Sequence, residues 1–254
     1  MSFMNKIVLI TGAASGNGET IALHFAKASA RLSLFDIDFD KLNKVAEKCE
    51  NLSKTKVFKV YVDVSKDVDL KEAVNSTIRE YGKIDILVNC AKIKKSNGIE
   101  NFDILDDYDR IVNVNLRSVV AIIRFAAEAL KESRGCVINV SSVLGQRINS
   151  HGLAYNISEA AVVHLTKCVA LELADKGVRV NCISPGIVKR DIALNDGTRE
   201  DDKTIVSYIK SLPLKHTVKA EEIAELVAYV ASDKANSITG ANFLVDSGFT
   251  LTSL

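Results

Sequence analysis

Three groups of residues in this 254-residue chain have types and spacings that chemistry can use. The first is Thr11-Gly12-Ala13-Ala14-Ser15-Gly16-Asn17-Gly18, which follows an apolar run and opens onto a helical pattern. Glycine at Gly12, Gly16 and Gly18 permits a tight turn, lets the backbone approach a pyrophosphate, and lets helix and strand pack closely. Around Ser15, Gly16 and Asn17 the helix start offers unpaired N–H groups and a positive dipole end to phosphate oxygens. The second is Asp36, eighteen residues beyond Gly18. A carboxylate there accepts hydrogen bonds from ribose hydroxyls and repels a 2′-phosphate, so NAD(H) is expected over NADP(H). The third is the pair Tyr155 and Glu159, four residues apart and therefore on one helix face.

The elements that must position these groups follow from hydrophobic period. Lys6–Thr11, Arg31–Asp36, Lys56–Val62, Ile84–Asn89, Cys136–Val140, Val178–Ile183 and Asn242–Val245 read as strands, most of them apolar throughout. Such runs suit a parallel sheet covered on both faces. Glu19–Ala28, Phe39–Leu52, Lys66–Tyr81, Asp106–Lys131, Tyr155–Ala174 and Ala220–Ala231 carry apolar residues at helical spacing. The alternation predicts right-handed crossovers and an α/β fold: a three-layer, doubly wound parallel sheet of about seven strands with helices on both faces. No repeat, low-complexity tract or composition shift marks a boundary, so residues 1–254 are expected to form one dinucleotide-binding domain. Lys189–Pro213 is polar and irregular, either a functional excursion over the carboxyl ends of the strands or a solvated insertion.

Motifs along the whole chain resemble those of the short-chain dehydrogenase/reductase family: the glycine loop, Asn115, Ser142, Tyr155 thirteen residues later, Pro185-Gly186, Ile238-Thr239-Gly240 and Val245-Asp246. The resemblance implies a Rossmann-type fold and hydride transfer between nicotinamide and a secondary alcohol or ketone. It makes Tyr155 the proton donor or acceptor at the substrate oxygen, Ser142 a hydrogen-bond partner of that oxygen, and Asn115 the holder of a water chain. It places Ile37, Val64, Asn89, Ala91, Tyr155, Pro185, Gly186 and Val188 along the cofactor, beside the glycine loop and Asp36. Asp63 matches an adenine-contacting aspartate, with a helix N-cap role as the alternative. Ser141 is expected to be structural.

Departures from that pattern gather at the nicotinamide end. Asn89-Cys90-Ala91-Lys92 stands where the family has Asn-Asn-Ala-Gly, Glu159 stands where it has the lysine of Tyr-x-x-x-Lys, and Arg190 stands where a threonine is common. One unit charge at ~5 Å and an effective dielectric of ~20 changes the phenolate's energy by roughly 3 kcal/mol. Exchanging an ammonium for a carboxylate then opposes ionisation of Tyr155 by up to ~6 kcal/mol. Lys92, at the end of a strand bordering the same ribose, is the candidate compensating charge. The alternatives are that it points to solvent with Lys94 and Lys95, or only neutralises Glu159. Lys189, Arg190, Arg147 and Lys92 together offer an electropositive pocket for an anionic substrate, or else a solvated surface.

Composition excludes several classes of function. A formal charge of +1 gives no electrostatic reason for nucleic acid or an anionic membrane as partner. The 47% hydrophobic and 26% charged fractions are those of a globular protein. No apolar run reaches the ~20 residues of a spanning helix, and the five cysteines lack paired spacing. They are expected to be reduced, mostly buried thiols of a cytoplasmic protein, Cys90 among them. No metal site is expected. The partners anticipated are a small alcohol or carbonyl compound and, by resemblance, copies of the chain in a dimer or tetramer. Two functions remain open: an NAD(H)-dependent oxidoreductase with an atypical site, and a catalytically silent relative that keeps dinucleotide affinity as a sensor or scaffold.

Overall fold

The computed structural model describes residues 1–148, 152–188 and 203–252. In chain order these form β1 (Ile7–Thr11), α1 (Gly16–Lys27), β2 (Arg31–Asp36), α2 (Phe39–Ser53), β3 (Phe58–Tyr61), α3 (Asp67–Tyr81) and β4 (Ile86–Asn89). They continue with α4 (Ile104–Val112), a π turn (Asn113–Arg117), α5 (Ser118–Ser133), β5 (Cys136–Val140), α6 (Leu153–Leu173) and β6 (Arg179–Pro185). Then come α7 (Lys203–Ser211), α8 (Ala220–Ala231) and β7 (Asn242–Val245). The sheet runs β3-β2-β1-β4-β5-β6-β7 with every pair parallel. Strand order reverses between β1 and β4, so a crevice opens there at the carboxyl ends.

Alternation within the buried strands divides the core into two layers. Val8 and Ile10 of β1 pack with α1, α2 and α8, while Leu9 packs on the other face with α3, α5 and α6. Both sheet faces are therefore covered, which is why the strands read as continuous apolar runs. Among the described residues no helix is long and apolar enough to cross a membrane.

Two expected elements need correction. The pattern over Asp106–Lys131 falls on an unbroken helical run, but that run is not α-helical throughout, because a π turn joins α4 to α5. Apolar spacing alone does not reveal the extra residue. The Asn115 side chain within that turn bonds elsewhere in the fold, as the site geometry makes clear. The span Lys189–Pro213 is not irregular throughout, since Lys203–Ser211 is helical; residues 189–202 lie outside the described residues.

The first glycine loop shows why glycine is required. A Cβ on Gly18 would stand 2.0 Å from the Gly12 carbonyl oxygen. Thr11 fastens the loop to the next strand, its Oγ1 accepting from the Cys90 and Ala91 amides at 3.1 and 3.2 Å. Gly18→Ala is expected to force α1 away from the loop and cost roughly 2–3 kcal/mol, read as a lowered Tm in thermal denaturation.

Candidate active site

The crevice at the strand ends is a cavity of about 1460 Å³. The glycine loop, Asp36, Ile37, Asp63 and Val64 line one part of it, and Ala91, Lys92, Ser142, Tyr155 and Gly186 line another. At the first end the Asp36 carboxylate is held by two backbone donors, the Ala14 amide at 2.9 Å and the Asp38 amide at 2.9 Å. Both bonds fix its direction toward the loop. Asp63 accepts from the Ser65 amide at 2.9 Å and the Ser65 hydroxyl at 2.7 Å. It thus forms a turn ahead of α3 rather than its N-cap, a position held by Lys66. Three lysines of α2 face this end, and two are engaged: Lys41 with Asp38 at 2.8 Å and Lys48 with Glu19 at 2.9 Å.

At the other end, β4 leads directly into Lys92. Its Nζ donates to the Ser141 carbonyl at 2.8 Å and pairs with Glu159 Oε2 at 3.4 Å. The Glu159 side chain is 2% exposed and that of Lys92 24%. The segment is directed inward by Asn115. Its Oδ1 accepts from the Ile93 amide at 2.8 Å, while its Nδ2 donates to the Ile93 carbonyl at 2.9 Å and to Ser158 Oγ at 3.2 Å. One side chain in the π turn therefore braces the neighbours of both Lys92 and Glu159. Desolvation lowers the Lys92 pKa, but attraction to Glu159 and to the Tyr155 hydroxyl outweighs it, leaving the ammonium above the usual lysine value. Lys92 does not point to solvent. Lys94 does lie nearer the surface, with Nζ 5.7 Å from the Tyr155 ring centroid, and Lys95 pairs with Asp107 at 2.7 Å.

Ser142 and Tyr155 come together because the Ser142 turn rests on α6. A Cβ on Gly145 would be 2.8 Å from the Glu159 carbonyl carbon, and Ser141 Oγ donates to the Glu159 carbonyl at 3.0 Å. Ser141 is thus a structural tie, as anticipated. Ser142 Oγ accepts from the Leu144 amide at 3.2 Å. The cavity wall around these residues is largely apolar: Val143, Leu144, Ile187, Tyr208 and Phe249.

Several expected site residues do not line the cavity themselves. Asn115 is buried, with its side chain committed to Ile93 and Ser158 rather than facing the cavity. Asn89 donates to Asn139 at 2.8 Å, and its buried Oδ1 has no partner among the described residues. Val188 is buried and bridges to Val218. Pro185 ends β6 behind Gly186. Arg147 does not line the cavity, its guanidinium being directed to the C-terminal turn. Lys189 and Arg190 lie outside the described residues. The cysteines are thiols, four buried and Cys168 exposed, and burial pushes the Cys49 thiol up to about 12. Sequence reasoning missed Ile187, Tyr208 and Phe249, which are distant in the chain and carry no motif.

The buried pair has a measurable consequence. Lys92→Met leaves Glu159 uncompensated in a desolvated position and should cost about 3 kcal/mol in urea unfolding, much of it recovered by adding Glu159→Gln. Because the lysine pKa is raised on folding, this contribution is fully present below pH 10.5 and is lost only as pH rises through the higher folded value.

Comparison with known proteins gives a consistent picture. Residues 12–250 match a family model described as enoyl-(acyl carrier protein) reductase. Meso-2,3-butanediol dehydrogenase of Serratia marcescens is 34% identical over 250 residues, covering 98% of this chain and 96% of that protein. A short-chain type dehydrogenase/reductase from Mycobacterium marinum superposes with a TM-score of 0.89 at 30% identity, covering 99% of this chain and 97% of that one. A 3-ketoacyl-(acyl-carrier-protein) reductase from Brucella melitensis, solved in complex with NADH, gives 0.88 at 31% identity, covering 97% and 99%.

Proposed function

Because the chain belongs to the short-chain dehydrogenase/reductase family of oxidoreductases, we propose that it is an NAD(H)-dependent enzyme interconverting a secondary alcohol and a ketone. Residues 1–254 act in this reading as one dinucleotide-binding domain. The observation that carries the proposal is the ion pair between Lys92 and Glu159, set beside Tyr155. In this reading Glu159 displaces the family's lysine and Lys92 brings an ammonium to the same place from β4. The residues fit a dinucleotide: the Gly18 backbone leaves no room for a side chain, and Asp36 presents an oriented carboxylate. That carboxylate supports NAD(H) over NADP(H), and Asp38 and Glu19 offset two of the nearby lysines.

Bound nicotinamide supplies or takes the hydride. Tyr155 gives or takes the proton at the substrate oxygen, and Ser142 holds that oxygen by a hydrogen bond. Lys92 stabilises the ionised phenol, while Glu159 holds Lys92 in place and accepts from the ribose hydroxyls. Asn115 acts through Ile93 and Ser158, positioning both partners of the pair. Buried thiols support a cytoplasmic setting. Val120, Ile157 and Leu171, exposed on α5 and α6, support association as a dimer or tetramer.

One observation favours the silent reading, in which the protein binds dinucleotide without turnover. Two of the three Lys92 donors are already directed at Ser141 and Glu159. Absorbance assays with NADH or NADPH and a panel of ketones, paired with cofactor titration, separate the two. Turnover with NADH is expected, reduced at least tenfold by Lys92→Met with cofactor binding retained. Binding without turnover in the wild type, with activity appearing in Lys92→Gly/Glu159→Lys, establishes the silent reading instead. Turnover unaffected by Lys92→Met rules out the role given to that lysine.

A further inference from the structure

The C-terminal turn Phe249–Leu251 is held against the Ser142 segment by interactions the proposed chemistry does not require. Arg147 follows Ser142 by five residues, and its own amide bonds to the Val143 carbonyl at 2.9 Å. Its guanidinium donates to the Phe249 carbonyl and, at 2.6 Å, to Thr252 Oγ1. The same guanidinium lies 4.2 Å from the centroid of the Phe249 ring. Tyr208 of α7 packs on that ring with centroids 5.6 Å apart.

The turn itself is fixed from behind. Asp246 accepts from the Gly248 amide at 2.9 Å and from the Thr250 amide and hydroxyl at 2.8 Å each. Gly248 has φ +83°, and a Cβ there would meet Pro213 Cγ at 2.8 Å. Phe249 has little freedom to move. Tyr208 turns its hydroxyl to the Ile187 backbone, and burial pushes that hydroxyl up to about 12, so the ring meets the cavity uncharged.

We propose that Phe249, clamped between Arg147 and Tyr208, is the specificity-determining wall of this site and receives the apolar ring or chain flanking the reacting carbonyl. The inference rests on the reading that Ser142 and Tyr155 meet that carbonyl, and deepens it by naming the substrate class: ketones or alcohols with a bulky apolar substituent. Arg147 is committed to the chain's own Phe249 carbonyl and Thr252 hydroxyl, and the cavity meets this clamp through the rings of Phe249 and Tyr208 rather than through the guanidinium. The clamp joins residues 102 and 105 positions apart in sequence, so no local motif announces it.

The test compares acetophenone with butanone under NADH. Phe249→Ala is expected to lower the ratio of their kcat/KM values about tenfold or more, with Phe249→Leu intermediate. Arg147→Met, which keeps apolar bulk but frees the turn, should act in the same direction, and the double variant should add little to Phe249→Ala. Thermal melts confirm folding, with Phe249→Leu retained as the milder substitution. An unchanged ratio in the folded variants overturns the proposal, as does a loss confined to NADH affinity. If the wild type turns over neither ketone, the oxidoreductase reading fails separately. Saturation-transfer NMR of acetophenone in the presence of NADH then decides, with signal lost in Phe249→Ala supporting the wall and signal kept at wild-type strength sinking it.

Discussion

The site depends on a buried carboxylate that must not stand alone. Glu159 is desolvated on α6 and would be costly there without a cation. Lys92 meets it from beyond the end of β4, a different element. Two further constraints keep the pair together: the Ser141 carbonyl, which accepts a hydrogen bond from Lys92 Nζ, and Asn115, which ties Ile93 to Ser158. The π turn between α4 and α5 therefore has a structural task. It aims an amide side chain at the backbone beside one partner and at the hydroxyl beside the other.

The two ends of the crevice use different physics. The end near Asp36 is made largely of backbone: a glycine loop, a helix start and a carboxylate oriented by amides. Such a platform tolerates little side-chain volume, as the 2.0 Å approach at Gly18 demonstrates. The reacting end is made of side chains from three parts of the chain, brought together by the sheet. There the Lys92 ammonium, arriving from the end of β4, meets the carboxylate of α6. The apolar wall beyond it belongs to a third system, the C-terminal turn and α7, stabilised by Arg147 and Asp246.

Much of the fold is legible in the chain because its signals are local. Continuous apolar runs mark the strands, and β2, β5 and β7 fall at the residues their patterns predict. The glycine loop and Asp36 are equally legible, since each lies at the end of a strand whose register sets its place. The π turn escaped because one added residue hardly disturbs apolar spacing, and α7 escaped because its helix sits within a polar stretch. Asn115, for which the resemblance implied a water-holding role, also braces backbone, a task visible only once Ile93 and Ser158 are near it.

By itself, the amino-acid sequence determined the doubly wound sheet, the position of the dinucleotide platform, and the presence of Tyr155, Ser142 and Glu159 at matching spacings. Those features follow from period, turn chemistry and helix-face geometry, all short in range. Only the tertiary structure decided where the charge of Lys92 goes and what Arg147 does. A lysine stem reaches solvent or interior with similar ease, and the outcome turns on whether a buried carboxylate waits within reach. Here one does, 67 residues further along the chain.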